Sequence, residues 1–125
     1  MIFDTDIFIW TQRGSRKAAR KIQESDIRYL SVQSYMELLQ GAENKQQHEY
    51  IKMFLLDFNF QILPFTENIG HRAAIYIEEY ALSSSIRAGD AIIAATAVEH
   101  DLQLVTSNVK HFKDIKKLRL MRFVP

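Results

Sequence analysis

The stretch Ala88-Gly-Asp-Ala-Ile-Ile-Ala-Ala-Thr-Ala-Val98 constrains this chain more than any other. It is the least polar run in the sequence, and it carries a single charge, Asp90, near its start. A helix that is apolar on every side belongs in the middle of a domain, covered by the other elements. One carboxylate at the mouth of such a helix is either a cap or a working group. Gly89, directly before it, allows the backbone to approach something closely. That favours the working group.

The rest of the chain is of a size to surround one such helix. Its 125 residues suit a single domain over 1–125 with a core that needs no staples. Apolar residues are 47% and charged residues 25%, as expected of a globular protein rather than a disordered one. The absence of cysteine excludes disulfides, thiolate metal sites and a cysteine nucleophile. No apolar run reaches the roughly 18 residues of a membrane span. Met1-Ile-Phe-Asp also lacks the basic start of a signal peptide, so the expectation is a cytoplasmic protein with no membrane partner. Net charge is only +1, but Arg13, Arg16, Lys17, Arg20, Lys21 and Arg28 cluster early, and a second basic group runs from Lys110 to Arg122. Such clusters are either solvated helix faces or contacts for a phosphate backbone.

Read in order, the chain alternates short apolar runs with helical patterns. Ile2-Phe3 is a buried first strand ended by Asp4-Thr5-Asp6, and Asp6 is placed to cap a short helical segment over 7–10. Ser15 caps a basic helix over 16–24, and Ile27–Leu30 is a second strand. Ser31 or Ser34 caps a helix that stops at Gly41. Another follows over 44–57, with Tyr50, Ile51, Phe54, Leu55 and Phe58 on its apolar face. Phe60–Leu63 is a third strand, and Thr66 opens a long helix interrupted at Ser83-Ser-Ser85. After the apolar helix, expected from Gly89 to Glu99, come strands Leu102–Val105 and Leu118–Phe123. This alternation predicts an α/β fold in three layers, a short, mostly parallel central sheet with helices on both faces.

In such sheets the ligand crevice lies outside the carboxyl ends of the strands. Asp4 and Asp6 follow the first strand, Glu37 comes soon after the second, and Thr106, Ser107 and Asn108 follow the fourth. Asp90 opens the buried helix, where the dipole favours an anion. Clustered carboxylates stay ionised together only beside a cation. Hard oxygen donors suit Mg2+ or Mn2+, which can activate water for attack on a phosphodiester. Each residue has a plainer reading. Asp90 can merely cap its helix, and Ser34-Tyr-Met-Glu37 matches a capping box in which Glu37 bonds the backbone of Ser34. The four histidines, His48, His71, His100 and His111, lack the close pairing of a zinc site, and the four glycines are too scattered for a phosphate loop.

Taken together, Ile2–Phe8, Ser31–Leu38, Gly89–Ala97 and Leu104–Asn108 resemble the PIN domain, most closely the VapC-type toxins of toxin–antitoxin pairs. The resemblance covers essentially the whole chain, in order. It implies a Mg2+- or Mn2+-dependent ribonuclease, usually a homodimer, held inactive by an antitoxin lying across the acidic site. On this resemblance Asp4, Glu37 and Asp90 match the metal-binding, catalytic carboxylates, and Asp6, Thr106 and Asn108 support ligands or water. Arg13, Arg16, Lys17 and Lys110 are candidate RNA contacts. Two departures stand out. Asp6 occupies a place where the family more often has asparagine, and Asn108 and His111 occupy the places where a fourth carboxylate is usual.

A catalytically weakened PIN-fold module that binds RNA or protein is the alternative. Phe3-Asp-Thr-Asp-Ile7 also looks like the first motif of haloacid-dehalogenase-type phosphatases. That family needs a lysine and an acidic pair further on, and Asp114 is the only acid after Ser107. The phosphatase reading fails there.

Overall fold

The computed structural model describes all 125 residues. Five strands form one sheet: β1 (Ile2–Phe3), β2 (Arg28–Ser31), β3 (Phe60–Leu63), β4 (Leu104–Thr106) and β5 (Leu120–Arg122). Their order is β3-β2-β1-β4-β5, and every neighbouring pair is parallel. The sheet is thus wholly rather than mostly parallel. Each crossover carries helical structure: α1 (Thr5–Gln12) and α2 (Arg16–Glu24) after β1, α3 (Val32–Gly41) and α4 (Lys45–Asp57) after β2, and α5 (Glu67–Tyr80) and α6 (Ala88–Glu99) after β3. No helix is long and apolar enough to cross a membrane.

Alternation along the strands divides the core in two. Ile2 and Leu104 face a cluster built with Ile69, Ala73 and Tyr76 of α5 and the apolar residues of α6. Phe3, Leu30 and Val105 face the other way, toward Ile7 and Phe8 of α1, Ala18 and Ile22 of α2, Leu38 of α3, and Ile51 and Leu55 of α4. α6 buries Ala91, Ile93, Ala94, Ala95, Thr96 and Ala97, as its all-round apolar sequence requires. The small residues let its backbone lie close to the neighbouring elements. The Thr96 hydroxyl is satisfied inside the helix by donating to the Ile92 carbonyl at 2.7 Å.

Boundaries differ from expectation in physically legible ways. Strand β2 begins at Arg28 and runs to Ser31, because its register is fixed by pairing with all four residues of β3. β4 starts only at Leu104 and β5 only at Leu120, since Leu102 and Leu118 pack into the core before the ladder begins. The first helix is longer than its apolar residues suggest. It starts at Thr5 with Asp4 as N-cap, whose Oδ1 accepts from the Thr5 N–H at 2.8 Å. Asp6 therefore does not cap a segment over 7–10. The turn into α2 needs Gly14, which sits at φ +90°. Ser15, Asn44 and Thr66 cap α2, α4 and α5 through their side chains. Ser31, not Ser34, caps α3. Tyr50 is exposed instead of joining the apolar face of α4.

Candidate active site

Strand order reverses between β1 and β4, whose chains then leave the sheet in opposite directions. A crevice opens at the carboxyl ends of such a pair. Asp4 comes straight off β1 into this crevice and is 5% exposed. The buried Thr106 hydroxyl, at the end of β4, donates to Asp4 Oδ2 at 2.7 Å. Two donors thus fix both carboxylate oxygens. Even so, the Asp4 proton affinity is pushed up to about 7, first by burial and next by the charge of Asp6, with Asp90 adding a smaller push. The bonds from Thr106 and Thr5 oppose that rise without cancelling it.

Asp6 lies in the first turn of α1 and is tied to the loop after β4. Its Oδ2 accepts from the Ser107 N–H at 2.9 Å, from the Ser107 hydroxyl, and from Asn108 Nδ2 at 3.3 Å. Its other oxygen, Oδ1, is buried without a hydrogen-bond partner. Burial raises the Asp6 pKa against those bonds and against the nearby His111.

Glu37 reaches the same edge from α3. Its Oε1 accepts from the Thr5 hydroxyl at 2.7 Å, and no bond joins it to the backbone of Ser34. The capping-box reading of Ser34–Glu37 is therefore overturned: Ser31 Oγ takes the Ser34 N–H, which frees Glu37 to turn outward. Thr5 Oγ1 is also 2.9 Å from Ser34 Oγ, which lies 3.2 Å from Ser31 Oγ.

Asp90 caps α6, since its Oδ2 accepts the Arg87 N–H at 3.0 Å, and it faces the crevice as well. His111 Nδ1 lies 3.5 Å from the same oxygen. Burial raises the Asp90 pKa, and the Arg87 bond and His111 pull it back. Gly89 makes the close approach anticipated for it. A Cβ there would sit 3.2 Å from both Glu37 Oε2 and Gln33 Nε2. Asp90 is thus a cap for α6, and capping does not take its carboxylate away from the crevice.

Asp4, Asp6, Thr106 and Asn108 are thus joined by direct hydrogen bonds or a shared partner. Glu37 is linked to them through Thr5, and Asp90 lies close enough to raise the Asp4 pKa. Thr5 and Ser34 were not singled out as site residues, and Ser107 was named only for following the fourth strand. The signal for Thr5 and Ser107 was position, since each directly follows a residue at a strand end that carries a candidate. The basic candidates are dispersed. Arg13 stacks over Trp10 at 5.7 Å and lines a cleft of about 620 Å3 that also includes Glu37. Arg16, Lys17 and Lys110 are exposed, and Lys17 is tied to the Val124 carbonyl at 2.9 Å.

The donor chemistry fits a hard divalent cation. The site's carboxylate oxygens are hard donors, one of them buried and without a partner, and burial raises the proton affinity of Asp4, Asp6 and Asp90, which a cation beside them would offset. The side chains are not drawn into a closed cage; each answers to its own donor, and no three acidic or imidazole groups converge as ligands.

The sequence matches the PIN domain family over residues 1–118, and the chain belongs to that family. It is 33% identical to ribonuclease VapC10 of Mycobacterium tuberculosis, covering 100% of this chain and 95% of that protein. Ribonuclease VapC1 of Rickettsia felis is 34% identical, over 97% of this chain and 94% of its own. Among solved structures, a toxin–antitoxin complex from Klebsiella pneumoniae superposes with a TM-score of 0.79 at 31% identity, covering 94% of this chain and 93% of the other.

Proposed function

We propose that this protein is a divalent-metal-dependent endoribonuclease, the toxin of a toxin–antitoxin pair, with Asp4, Asp90 and Glu37 holding Mg2+ or Mn2+. The observation that carries the reading is Asp4. It is a buried carboxylate at the switch point of a parallel sheet, with its proton affinity raised by burial and by a neighbouring carboxylate, beside an orphaned oxygen of Asp6. A bound ion would supply the countercharge those groups lack, together with an acidified water. The chain's own residues do the positioning. Thr106 fixes Asp4, Thr5 fixes Glu37, the Arg87 N–H fixes Asp90, and Ser107 with Asn108 fixes Asp6. Hydrolysis forms a bond from a water oxygen to phosphorus and breaks the bond to one ribose oxygen, which leaves protonated.

Full-length similarity to named ribonucleases supports RNA as substrate. The antitoxin partner is supported by the Klebsiella complex. The exposed apolar side chains Ile9, Met53 and Leu56 on α1 and α4 suit a segment of such a partner. A homodimer fits the exposure of Ile75 on α5 and Leu82 just beyond it; a monomeric mass in light scattering would count against it.

One observation favours the alternative of a weakened binding module. Asn108 directs its amide nitrogen to Asp6 and brings no negative charge of its own. The two readings separate on one experiment. The nuclease reading expects RNA cleavage that requires Mg2+ or Mn2+, and Mn2+ binding by calorimetry that weakens at least tenfold in Asp90→Asn with loss of cleavage. RNA bound but left whole with every divalent ion tried would sink it.

A further inference from the structure

A groove of about 400 Å3 opens between α2 and the end of β5. Lys17, Arg20, Lys21 and Glu24 line it from the helix, and Arg122 and Phe123 from the strand end. The helical spacing of 17, 20, 21 and 24 sets these residues along one face. The opposite face of α2 buries Ala18 and Ile22, so the orientation of the basic face is fixed by the core. None of the four cations takes part in an ion pair, and neither does Glu24. Lys17 donates to the Val124 carbonyl, which neutralises nothing and leaves other donors of its ammonium free.

The groove adjoins the acidic crevice. Arg122 is the register partner of Thr106, and the Phe123 N–H donates to the Thr106 carbonyl at 2.8 Å. The hydroxyl of that same Thr106 holds Asp4. One inter-strand spacing, about 4.8 Å, therefore separates the strand that supports the carboxylate from the strand that walls the basic groove.

We propose that this groove is a phosphate track for single-stranded RNA leaving the acidic crevice, with Arg20 and Lys21 as its principal contacts. The inference rests on the ribonuclease reading for the class of polyanion. An RNA with one phosphate at the crevice carries its neighbouring phosphates past the end of β5. The cations of α2 repeat there about every helical turn, 5.4 Å, a spacing comparable to that of successive phosphates along a strand.

The test uses the full chain and a fluorescein-labelled 20-nucleotide single-stranded RNA. Anisotropy is read over a series of salt concentrations in the Asp90→Asn background. Arg20→Ala/Lys21→Ala is compared with a control pair on α4, Lys45→Ala/Lys52→Ala. Neither Arg20 nor Lys21 has a side-chain bond to lose, and unchanged thermal melting verifies the fold. Affinity is expected to weaken about tenfold at moderate salt, and the slope of log K against log salt to fall by about 1.4, since each released single-strand contact contributes about 0.7. The control pair leaves both unchanged. An unchanged slope in the α2 pair overturns the track and leaves the groove to an acidic protein surface. Cleavage by the wild-type protein is read separately on a denaturing gel. RNA held through Arg20 and Lys21 but never cut overturns the nuclease reading alone, whereas RNA cut equally well with and without the pair overturns the track alone.

Discussion

Thr5 stands between two carboxylates in sequence and between two elements in space. Its hydroxyl has one proton to give; given to Glu37 at 2.7 Å, it leaves a lone pair for Ser34 at 2.9 Å. A bond to an ionised group is worth about 1.5–3 kcal/mol, so Thr5 decides where Glu37 rests. Thr5→Val keeps the shape and removes the oxygen. Cleavage should fall about tenfold in kcat, about 1.4 kcal/mol, with the KM for RNA unchanged, and Thr5→Ser should restore most of it. Equal activity in the Val and wild-type proteins would show that Glu37 needs no such support. Asp4, Asp6 and Asp90 stood out in the sequence because they lie where a strand ends or a helix begins, whereas Glu37, mid-way along α3, was named through its place in a motif. Of the hydroxyls that hold them only Thr106 was named, because Thr5 and Ser107 owe their roles to long-range partners, 32 and 101 residues away.

At the scale of elements, α6 performs two tasks at opposite ends of its length. Its body fills the core; its first turn abuts α3, where Gly89 leaves room for Glu37 and Gln33. The first task was readable from an all-apolar run, and so was the cap at its mouth. The strand limits were harder to read. Leu102, Leu118 and Ile27 have strand-forming character, but only pairing partners decide which residues join a ladder, and those partners are distant in sequence. Two substitutions separate the tasks. Ile93→Ala removes a buried side chain and should cost about 2–5 kcal/mol, lowering the melting temperature while metal binding in the surviving fold is retained. Gly89→Ala should leave melting nearly unchanged, since alanine gains up to about 1 kcal/mol in helix propensity against the 3.2 Å contacts. It should nonetheless cut activity by displacing Glu37. A Gly89→Ala protein with full cleavage would show that Glu37 has slack.

The whole molecule carries its acidic edge as a standing cost. A carboxyl that binds its proton more tightly in the folded chain than in the unfolded chain favours folding at low pH. For Asp4 that contribution is whole below the ordinary value of 3.8 and is lost as pH climbs through about 7, and Asp6 and Asp90 shift in the same direction. The metal-free protein should therefore melt progressively lower between about pH 4 and pH 7. Asp4→Asn removes the carboxyl whose proton affinity is raised to about 7, keeps an oxygen for the Thr5 N–H while the Thr106 hydroxyl turns to accept from the amide, and relieves Asp6 of a charged neighbour. Its melting temperature should exceed that of the wild type by about 5 °C or more at pH 8, on the usual scale of a few degrees per kcal/mol, and the two should converge near pH 4. Saturating Mn2+ should reverse the order at pH 8, because an ion bound only by the folded state stabilises the wild type and finds a crippled ligand set in the variant. Scanning calorimetry across pH, with and without the ion, reads both effects. A wild-type melting temperature that is flat from about pH 4 to pH 7 and unmoved by Mn2+ at pH 8 would mean that the crevice carboxylates are neither strained by burial nor built to share a cation.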